Sequence, residues 1–212
     1  MEKTELEKIW KQVPVNYYQK SVKENLLQNL WHTQKIKTFR NVIGERKVKS
    51  VLDVGCASGY MTNKISRILL KSKIYAIDAY KDAVDFGKRK YPHIKFKVAD
   101  AHKLPFRASS FDLVVCYETI EHVSNPMKML KEMQRVLKKD GVAVVAMDSG
   151  NLLFRIVWFI WENTKGKVWQ KAHLHPFEHR DLEKLIERSG FKILQKKFSH
   201  LGMEVTFLLR RK

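Results

Sequence analysis

Hydrophobic residues follow two different spacings along the chain from residue 48 onward. Short runs rich in β-branched residues, such as KSVLDVG and KIYAIDA, alternate with stretches such as YMTNKISRILL, where apolar residues recur three or four positions apart. The short runs are typical of buried strands, and the second spacing is typical of amphipathic helices. The pattern predicts five successive strands: KSVLDVG, KIYAIDA, IKFKVADA, FDLVVCYE and VAVVAMD.

The predicted helices have recognisable ends. KDAVDFGKRKY is followed by Pro92, which cannot continue a helix. In NPMKMLKEMQRVLKKDG, Pro126 occupies the first turn, where proline is tolerated, and Gly141 is predicted to be the C-cap. A last helix, HRDLEKLIERSG, precedes two more strand runs, FKILQKKFS and EVTFLLRR.

Strands that alternate with helices predict parallel pairing through right-handed crossovers, with helices on both faces of the sheet. Too few residues separate the last two strands for a crossover, so they should form an antiparallel hairpin at one edge. The fold class is therefore a doubly wound α/β fold with a seven-stranded, mostly parallel sheet. We expect one domain over residues 1–212, with an N-terminal helical extension at 1–45 and an irregular insertion at 149–178.

Basic residues are in strong excess. The 41 Lys and Arg residues against 22 Asp and Glu residues give a net charge of +19. Such a surface favours anionic partners, namely nucleic acid, acidic lipid headgroups or anionic substrates. The alternative is the solvated, lysine-rich surface of a heat-adapted protein.

The cysteines and the N-terminus bear on the compartment. Cys56 and Cys116 lie in apolar runs, which predicts buried free thiols in a reducing environment. The charged N-terminal segment MEKTELEKIW lacks the apolar core of a secretory signal. No apolar stretch reaches the roughly 18–20 residues that a membrane span requires. A cytoplasmic location is predicted.

A glycine turn and three acids mark the candidate site. Gly55 and Gly59 follow the first strand, where ligands bind in a doubly wound sheet. Asp53, Asp78 and Asp100 each stand at the end of one of the first three strands. Asp78 is placed to accept hydrogen bonds from a ribose diol, and Asp100 to meet an adenine amino group. A dinucleotide fits less well, because Asp53 inside the turn would repel a pyrophosphate but suits a positive centre.

The segments VLDVGCASGY, YAIDAY, VADAHKLPF and FDLVVCYETIEHV resemble, in order and spacing, the successive motifs of class I S-adenosylmethionine (SAM) dependent methyltransferases with a type 11 methyltransferase domain. The resemblance covers about residues 48–148 and implies a seven-stranded sheet whose last strand is reversed. It implies that Asp53, Gly55 and Gly59 surround the methionine end of SAM and that Asp78 holds the ribose. The implied cofactor-binding set is Asp53, Gly55, Cys56, Ala57, Gly59, Asp78, Ala79, Asp100, Ala101 and Tyr117.

The segment after the fourth strand supplies candidate bases for methyl transfer. In CYETIEHV, Glu118, Glu121 and His122 stand at helical spacing and are expected to share one face. Glu118 and His122 are the predicted catalytic residues. The chain is similar to ubiquinone- and menaquinone-pathway methyltransferases, and the trio resembles a segment of the ubiquinone-pathway O-methyltransferases in which two glutamates and a histidine bind a divalent metal; we predict no metal here. No proline turn follows Cys116 and Tyr117, which argues against N-methylation of nucleobases.

Two additions to the core motifs are expected to choose the acceptor. The helix around Leu26, Leu27 and Leu30 is read as a lid over the cofactor pocket or as a packing helix. In the insertion, residues 152–161 are almost all apolar or aromatic, which suits contact with a membrane surface, a cover over an apolar substrate, or a buried helix. One of His173, His175 and His179 is expected to line the pocket.

These observations favour a SAM-dependent methyltransferase acting on a small, apolar or lipid-like acceptor, with O-methylation preferred. The basic charge keeps an RNA methyltransferase as an alternative, and a non-catalytic SAM-binding partner protein is a third.

Overall fold

The computed structural model describes residues 11–164, 175 and 177–212. Its centre is a sheet of seven strands in the order β3-β2-β1-β4-β5-β7-β6. The strands are β1 Ser50–Val54, β2 Lys73–Asp78, β3 Lys95–Val98, β4 Phe111–Tyr117, β5 Leu137–Asp148, β6 Phe191–Ser199 and β7 Glu204–Arg211. The strand β7 runs antiparallel to both of its neighbours, β5 and β6, because the short connection after β6 forms a hairpin. The predicted doubly wound fold with a reversed last strand is confirmed.

Helices cover both faces of the sheet. The described helices are α1 Tyr17–Glu24, α2 Leu26–Ile43, α3 Tyr60–Ser66, α4 Lys81–Lys90, α5 Pro126–Val136, α6 Leu152–Thr164 and α7 His179–Arg188. Alternate residues of β1 face opposite sides, so Leu52 packs in the core with α5 and α7, whereas Val51 packs in the core with α2, α3 and α4. Both predicted thiols, Cys56 and Cys116, are buried and free.

The end of α5 differs from the prediction. The helix ends at Val136, and Leu137 already pairs with Phe111 of β4, so Gly141 is not a C-cap. Gly141 lies inside β5, where a Cβ atom would stand 3.0 Å from the carbonyl oxygens of Phe111 and Asp112. Glycine is needed there because two backbones approach closely.

The insertion also departs from one expectation. Its helix α6 contains no buried residue, so the reading of residues 152–161 as a helix buried in the core is wrong.

The order of the strands creates a crevice beside β1. The chain moves from β1 outward to β2 and β3, then returns to place β4 on the other side of β1. The connections that leave the carboxyl ends of β1 and β4 therefore diverge, and ligands bind in such crevices.

Candidate cofactor site

A cavity of about 430 Å³ opens at this crevice. Its walls come from the turn after β1, the ends of β2 and β3, the segment after β4, and the N-terminal helices. Eleven of the twelve predicted site residues line it: Asp53, Gly55, Cys56, Ala57, Asp78, Ala79, Asp100, Ala101, Tyr117, Glu118 and His122. The predicted set is thus brought together around one cavity, with Gly59 as the exception.

The turn after β1 is shaped by left-handed backbone. Gly55, Ala57 and Gly59 have φ angles of 80°, 45° and 79°. A Cβ atom on Gly55 would stand 2.1 Å from the Thr119 hydroxyl, so only glycine lets the turns after β1 and β4 meet. Gly59 instead begins α3, and a Cβ atom there would overlap Phe96 at 2.4 Å, which gives this glycine a packing role.

Asp78 ends β2 with its carboxylate fixed by the glycine turn. The Ala57 N–H donates to Oδ2 at 2.7 Å, and the Tyr80 N–H donates to Oδ1 at 2.8 Å. Burial raises the pKa of Asp78, while these backbone hydrogen bonds lower it. The carboxylate thus lines the cavity as a fixed acceptor, which fits a ribose diol.

Asp53 lies deeper than Asp78. It is buried, and the Thr62 hydroxyl donates to its Oδ2 at 2.5 Å. Burial raises the pKa of Asp53 to about 7, although the Thr62 hydrogen bond lowers it. Asp53 therefore ties the turn to α3 as well as facing the cavity.

Asp100 is bound to its own loop. The His102 backbone N–H donates to Oδ1 at 2.9 Å, and His102 Nδ1 lies 2.6 Å from the same oxygen. The Asn125 N–H donates to His102 Nε2 at 3.1 Å. His102, which the sequence interpretation missed, thus connects the loop after β3 with the start of α5 and lines the cavity itself.

The segment after β4 does not form the predicted helical face. Glu118 has a φ of 46°, and the only helical turn there is the 3₁₀ segment Ile120–His122. As a result, Glu118 and His122 line the cavity, whereas Glu121 is buried behind it. No group of three or more His, Cys, Asp or Glu side chains in the described ranges is arranged to hold a metal ion.

A buried ion network joins α2, the segment after β4 and the start of β7. Lys35 of α2 contacts Glu118 Oε1, and its Nζ lies 3.1 Å from Glu204 Oε2 at the start of β7. Burial lowers the Lys35 pKa, but Glu118 and Glu204 raise it to a larger combined extent, so the ammonium stays charged. Burial raises the pKa of Asp148, and it raises the pKa of Glu121 to about 8. Because Lys35 supplies only one positive charge, the carboxyl groups around it cannot all be ionised at the same time.

The N-terminal helices close the cavity from the outside. Tyr17 and Tyr18 of α1 line it, as do His32 and Lys35 of α2. The Gln19 amide donates to the Ser58 hydroxyl of the glycine turn at 3.1 Å. Burial lowers the pKa of His32 to about 4, so this ring is neutral near pH 7.

The insertion contributes less to the cavity than expected. Of the described residues in 149–178, none lines it. The His175 N–H donates to the Glu121 carbonyl oxygen at 3.0 Å, and the His179 N–H donates to the Ser149 carbonyl oxygen at 3.0 Å. Neither ring lines the cavity, and His173 lies outside the described residues.

Residues 52–145 match the family model described as "Methyltransferase domain". The chain is 28% identical over 152 residues to the human "Arginine-hydroxylase NDUFAF5, mitochondrial", covering 70% of this chain and 44% of that protein. It is 26% identical over 120 residues to the "Probable S-adenosylmethionine-dependent methyltransferase MT3114" of Mycobacterium tuberculosis, covering 57% and 43%. The chain therefore spans less than half the length of these relatives.

Solved structures share the fold. A SAM-dependent methyltransferase from Thermotoga maritima, described as a "possible histamine N-methyltransferase", superposes with a TM-score of 0.73 at 22% identity, over 98% of this chain and all 100% of that one. One from Aquifex aeolicus gives 0.67 at 16% identity, over 84% and 90%.

Residues 52–145 thus match a methyltransferase domain, and the chain has the Rossmann-like methyltransferase fold; the cofactor that this match and these relatives imply is SAM. The residues around the cavity fit that cofactor, because Asp78 is a fixed acceptor for a ribose diol and the cavity between the ends of the strands is lined by the glycine turn. The finer resemblance to ubiquinone-pathway enzymes stays a prediction. None of the helices in the described ranges combines the length and apolarity needed to cross a bilayer.

Proposed function

We propose that the protein is a SAM-dependent methyltransferase that methylates a small, apolar or lipid-like acceptor, preferentially on oxygen. The observation that carries the cofactor part is Asp78, whose two oxygens are held by backbone N–H groups at the edge of the cavity. SAM would supply an activated methyl group for an in-line displacement. The chain's own residues then bind, orient and shield the two reactants.

The proposed cofactor contacts follow the order of the strands. Asp53, Gly55, Cys56 and Ala57 form the wall nearest the methionine end, and Asp78 with Ala79 faces the ribose. Asp100 and Ala101 flank the adenine, and Tyr117 lies beside the sulfonium. These residues line one cavity, which supports the proposal. Gly59 acts through the start of α3.

The acceptor side is formed by Glu118 and His122. Both line the cavity after β4, next to the aromatic rings of Tyr17 and Tyr18. We assign the removal of the acceptor's proton to His122 and the positioning of the acceptor to Glu118, because Lys35 already holds the Glu118 carboxylate. The N-terminal helices act as the lid, and a cytoplasmic location stays a prediction.

The cofactor part is tested by calorimetry with SAM. Asp78→Asn should weaken SAM binding by roughly 1–3 kcal/mol, since it replaces a charged acceptor of buried ribose hydroxyls. Asp181→Asn is the control, because that carboxylate is 62% exposed on α7, away from the cavity. Equal SAM affinity in both variants would contradict the assignment.

The acceptor part is tested by incubating the protein with methyl-labelled SAM and separated lipid, metabolite and RNA fractions. Label in the lipid or apolar metabolite fraction is expected, and an ester or ether linkage would establish O-methylation. Label in RNA would favour the alternative suggested by the net charge of +19. SAM binding without label in any fraction would favour a non-catalytic partner protein. One relative's name, arginine hydroxylase, is a reason to analyse the products chemically.

A further inference from the structure

The most exposed face of α6 is apolar. Leu152, Ile156, Phe159 and Ile160 stand at positions i, i+4, i+7 and i+8 and are between 50% and 72% exposed. This spacing is that of a helix that buries one apolar face, yet here the face points away from the protein core. Contiguous exposed apolar surface of this kind marks interaction sites on soluble proteins.

Two other elements also carry exposed apolar residues. Leu27 and Leu30, in the first turns of α2, are exposed, and Leu201 is 87% exposed in the turn between β6 and β7. Leu201 has a φ of 56°, which is left-handed backbone, and its side chain is exposed to solvent. Such a conformation is unfavourable for leucine and persists only where the surroundings impose it.

Specific contacts hold these three elements together. His200 stacks on Trp31 with ring centroids 3.9 Å apart, and its Nε2 lies 2.8 Å from the Trp31 carbonyl oxygen. The Asn151 amide, at the start of α6, donates to the Gly202 carbonyl oxygen at 2.9 Å. The first turns of α2, the turn at Leu201 and the start of α6 are therefore fixed relative to one another.

We propose that these apolar residues form a docking surface for an anionic lipid bilayer. The docking surface consists of Leu27, Leu30, Leu201, Leu152, Ile156 and Phe159. A 13-residue helix is about 20 Å long, too short to span a bilayer but suited to lie in its interface. Trp158 and Trp161 lie on the same helix, and tryptophan is enriched at the level of the lipid headgroups.

The positive charge of the protein favours an anionic lipid bilayer over a second copy of the same chain as the occupant of the docking surface. The protein carries a net charge of +19, so a second copy on this surface would meet strong like-charge repulsion. In α1 and α2, four exposed basic residues (Lys20, Lys23, Lys37 and Arg40) stand against Glu24 alone. Anionic headgroups would complement that charge while the acyl chains cover the leucines.

The inference deepens the proposed function and rests on it for its purpose. The helix α2, which carries Leu27 and Leu30 of the docking surface, also lines the cavity with His32 and Lys35. A bilayer docked there would present an apolar acceptor close to the cavity without a passage through water.

The experiment is co-sedimentation of the full chain with phosphatidylcholine vesicles that contain either no or 30% phosphatidylglycerol. Binding at least tenfold tighter to the anionic vesicles is expected. The double substitution Phe159→Asp and Leu201→Asp should reduce that binding at least fivefold, although it changes the charge by only two. Leu70→Asp is the matched control, because Leu70 is 82% exposed at the opposite end of the sheet, before β2.

SAM calorimetry without vesicles is run on every variant to show that the fold is intact. A wild-type protein that does not bind SAM would contradict the proposed function. The vesicle experiment would still test the docking surface, because it does not depend on SAM binding. Should the double variant fail to bind SAM, quenching of the wild-type tryptophan fluorescence by brominated lipid decides the question, since docking places α6 in the interface.

Three results would overturn the inference. They are wild-type protein that stays in the supernatant with both vesicles, a double variant that binds as tightly as the Leu70→Asp control, and a wild-type dimer that the double variant dissociates.

Discussion

Three residues with left-handed backbone, Gly55, Ala57 and Glu118, shape the cavity wall. Gly55 and Ala57 turn the chain after β1, and Glu118 turns it after β4. For Ala57 and Glu118 this conformation costs roughly 1–2 kcal/mol each, a cost that sites of this kind carry to aim particular groups. At Ala57 the gain is visible, because its N–H points at Asp78.

Gly55→Ala should be strongly destabilising. The new methyl group would meet the Thr119 Oγ1 and Cγ2 atoms at 2.1 and 2.2 Å, on backbone with a φ of 80°. Strain and overpacking together should lower the free energy of unfolding by roughly 2–4 kcal/mol, measured by urea denaturation.

Two comparisons separate the causes of this loss. Gly44→Ala carries a similar φ of 57° with its nearest atom 3.7 Å away, so it should show the strain without the clash. Adding Thr119→Ala to Gly55→Ala removes two of the three clashing atoms and should recover part of the loss. No recovery would mean that the contact across the crevice is not the cause.

Glu121 should make the stability fall as pH rises. Burial, followed by the nearby charge of Glu118, raises its pKa to about 8, while an unfolded glutamate titrates near 4.3. Between these values the unfolded chain releases the proton and the folded protein keeps it, so raising the pH favours unfolding. Both Glu121 oxygens lack a hydrogen-bond partner among the described residues, which agrees with a neutral carboxyl.

Glu121→Gln removes this titration. Its free energy of unfolding, relative to the wild type, should rise by roughly 2–4 kcal/mol from pH 5 to pH 8 in urea denaturation. Glu24→Gln, whose side chain is 63% exposed, should show no such change. Parallel pH curves for Glu121→Gln and the wild type would contradict the buried, neutral state.

Single residues were predictable where strand ends are predictable. Asp53, Asp78 and Asp100 could be placed because parallel strands end at one edge of a sheet. Lys35 could not, because its partner Glu118 is 83 positions away in the chain. A signal existed: His32, Lys35 and Phe39 lie on one buried face of α2, where a lysine demands a carboxylate.

The helix α2 is the element that ties the N-terminal helices to the sheet. Its buried Lys35 bridges Glu118 after β4 and Glu204 of β7, and its Asn25 side chain caps its first turn. The helix thus joins the segment after β4 to the start of β7 through one ammonium group. Removing that group leaves buried carboxylates without compensation.

Lys35→Met should lower the free energy of unfolding by roughly 3–5 kcal/mol at pH 8. The loss should shrink toward pH 5, because burial raises the pKa of Glu204, so that this carboxyl can take up a proton and then needs no counter-charge. Lys37→Met, two positions along the same helix and exposed, should cost far less. A loss independent of pH would indicate that packing of the side chain, not the ion network, holds α2.

Elements were predicted better than their ends. The alternation of strands and helices follows from periodicity, which local sequence carries. The end of α5 does not, because Leu137 leaves the helix to pair with Phe111 of the neighbouring strand. The exposure of α6 could not be predicted either, because the same run of apolar residues occurs in helices that face a protein core and in helices that face a membrane.

At the scale of the molecule, six acidic residues gather where the parallel strands end. Asp53, Asp78, Asp100, Glu118, Asp148 and Glu204 all lie at one edge of the sheet, because β7 runs antiparallel and starts where β5 ends. Asp148 and Glu204 are direct partners across β5 and β7. The remaining surface must therefore carry even more of the basic excess than the net charge of +19 suggests.

Self-repulsion of that surface should make salt stabilising. The exposed ion pairs, such as Lys20–Glu24 and Lys184–Asp181, are worth at most about 1 kcal/mol each and weaken as salt is added. Repulsion among the uncompensated lysines is screened by the same salt, and it involves many more charges. Raising NaCl from 20 to 300 mM should thus increase the free energy of unfolding by on the order of 1 kcal/mol.

Urea is the denaturant of choice for this measurement because guanidinium chloride is itself a salt. Replacing the exposed Lys47, Lys71, Lys97 and Lys192 by glutamate lowers the net charge by two at each position and should flatten the salt dependence. If salt instead lowers the free energy of unfolding of the wild-type protein, stabilising ion pairs outweigh repulsion on the basic surface, and the prediction is wrong.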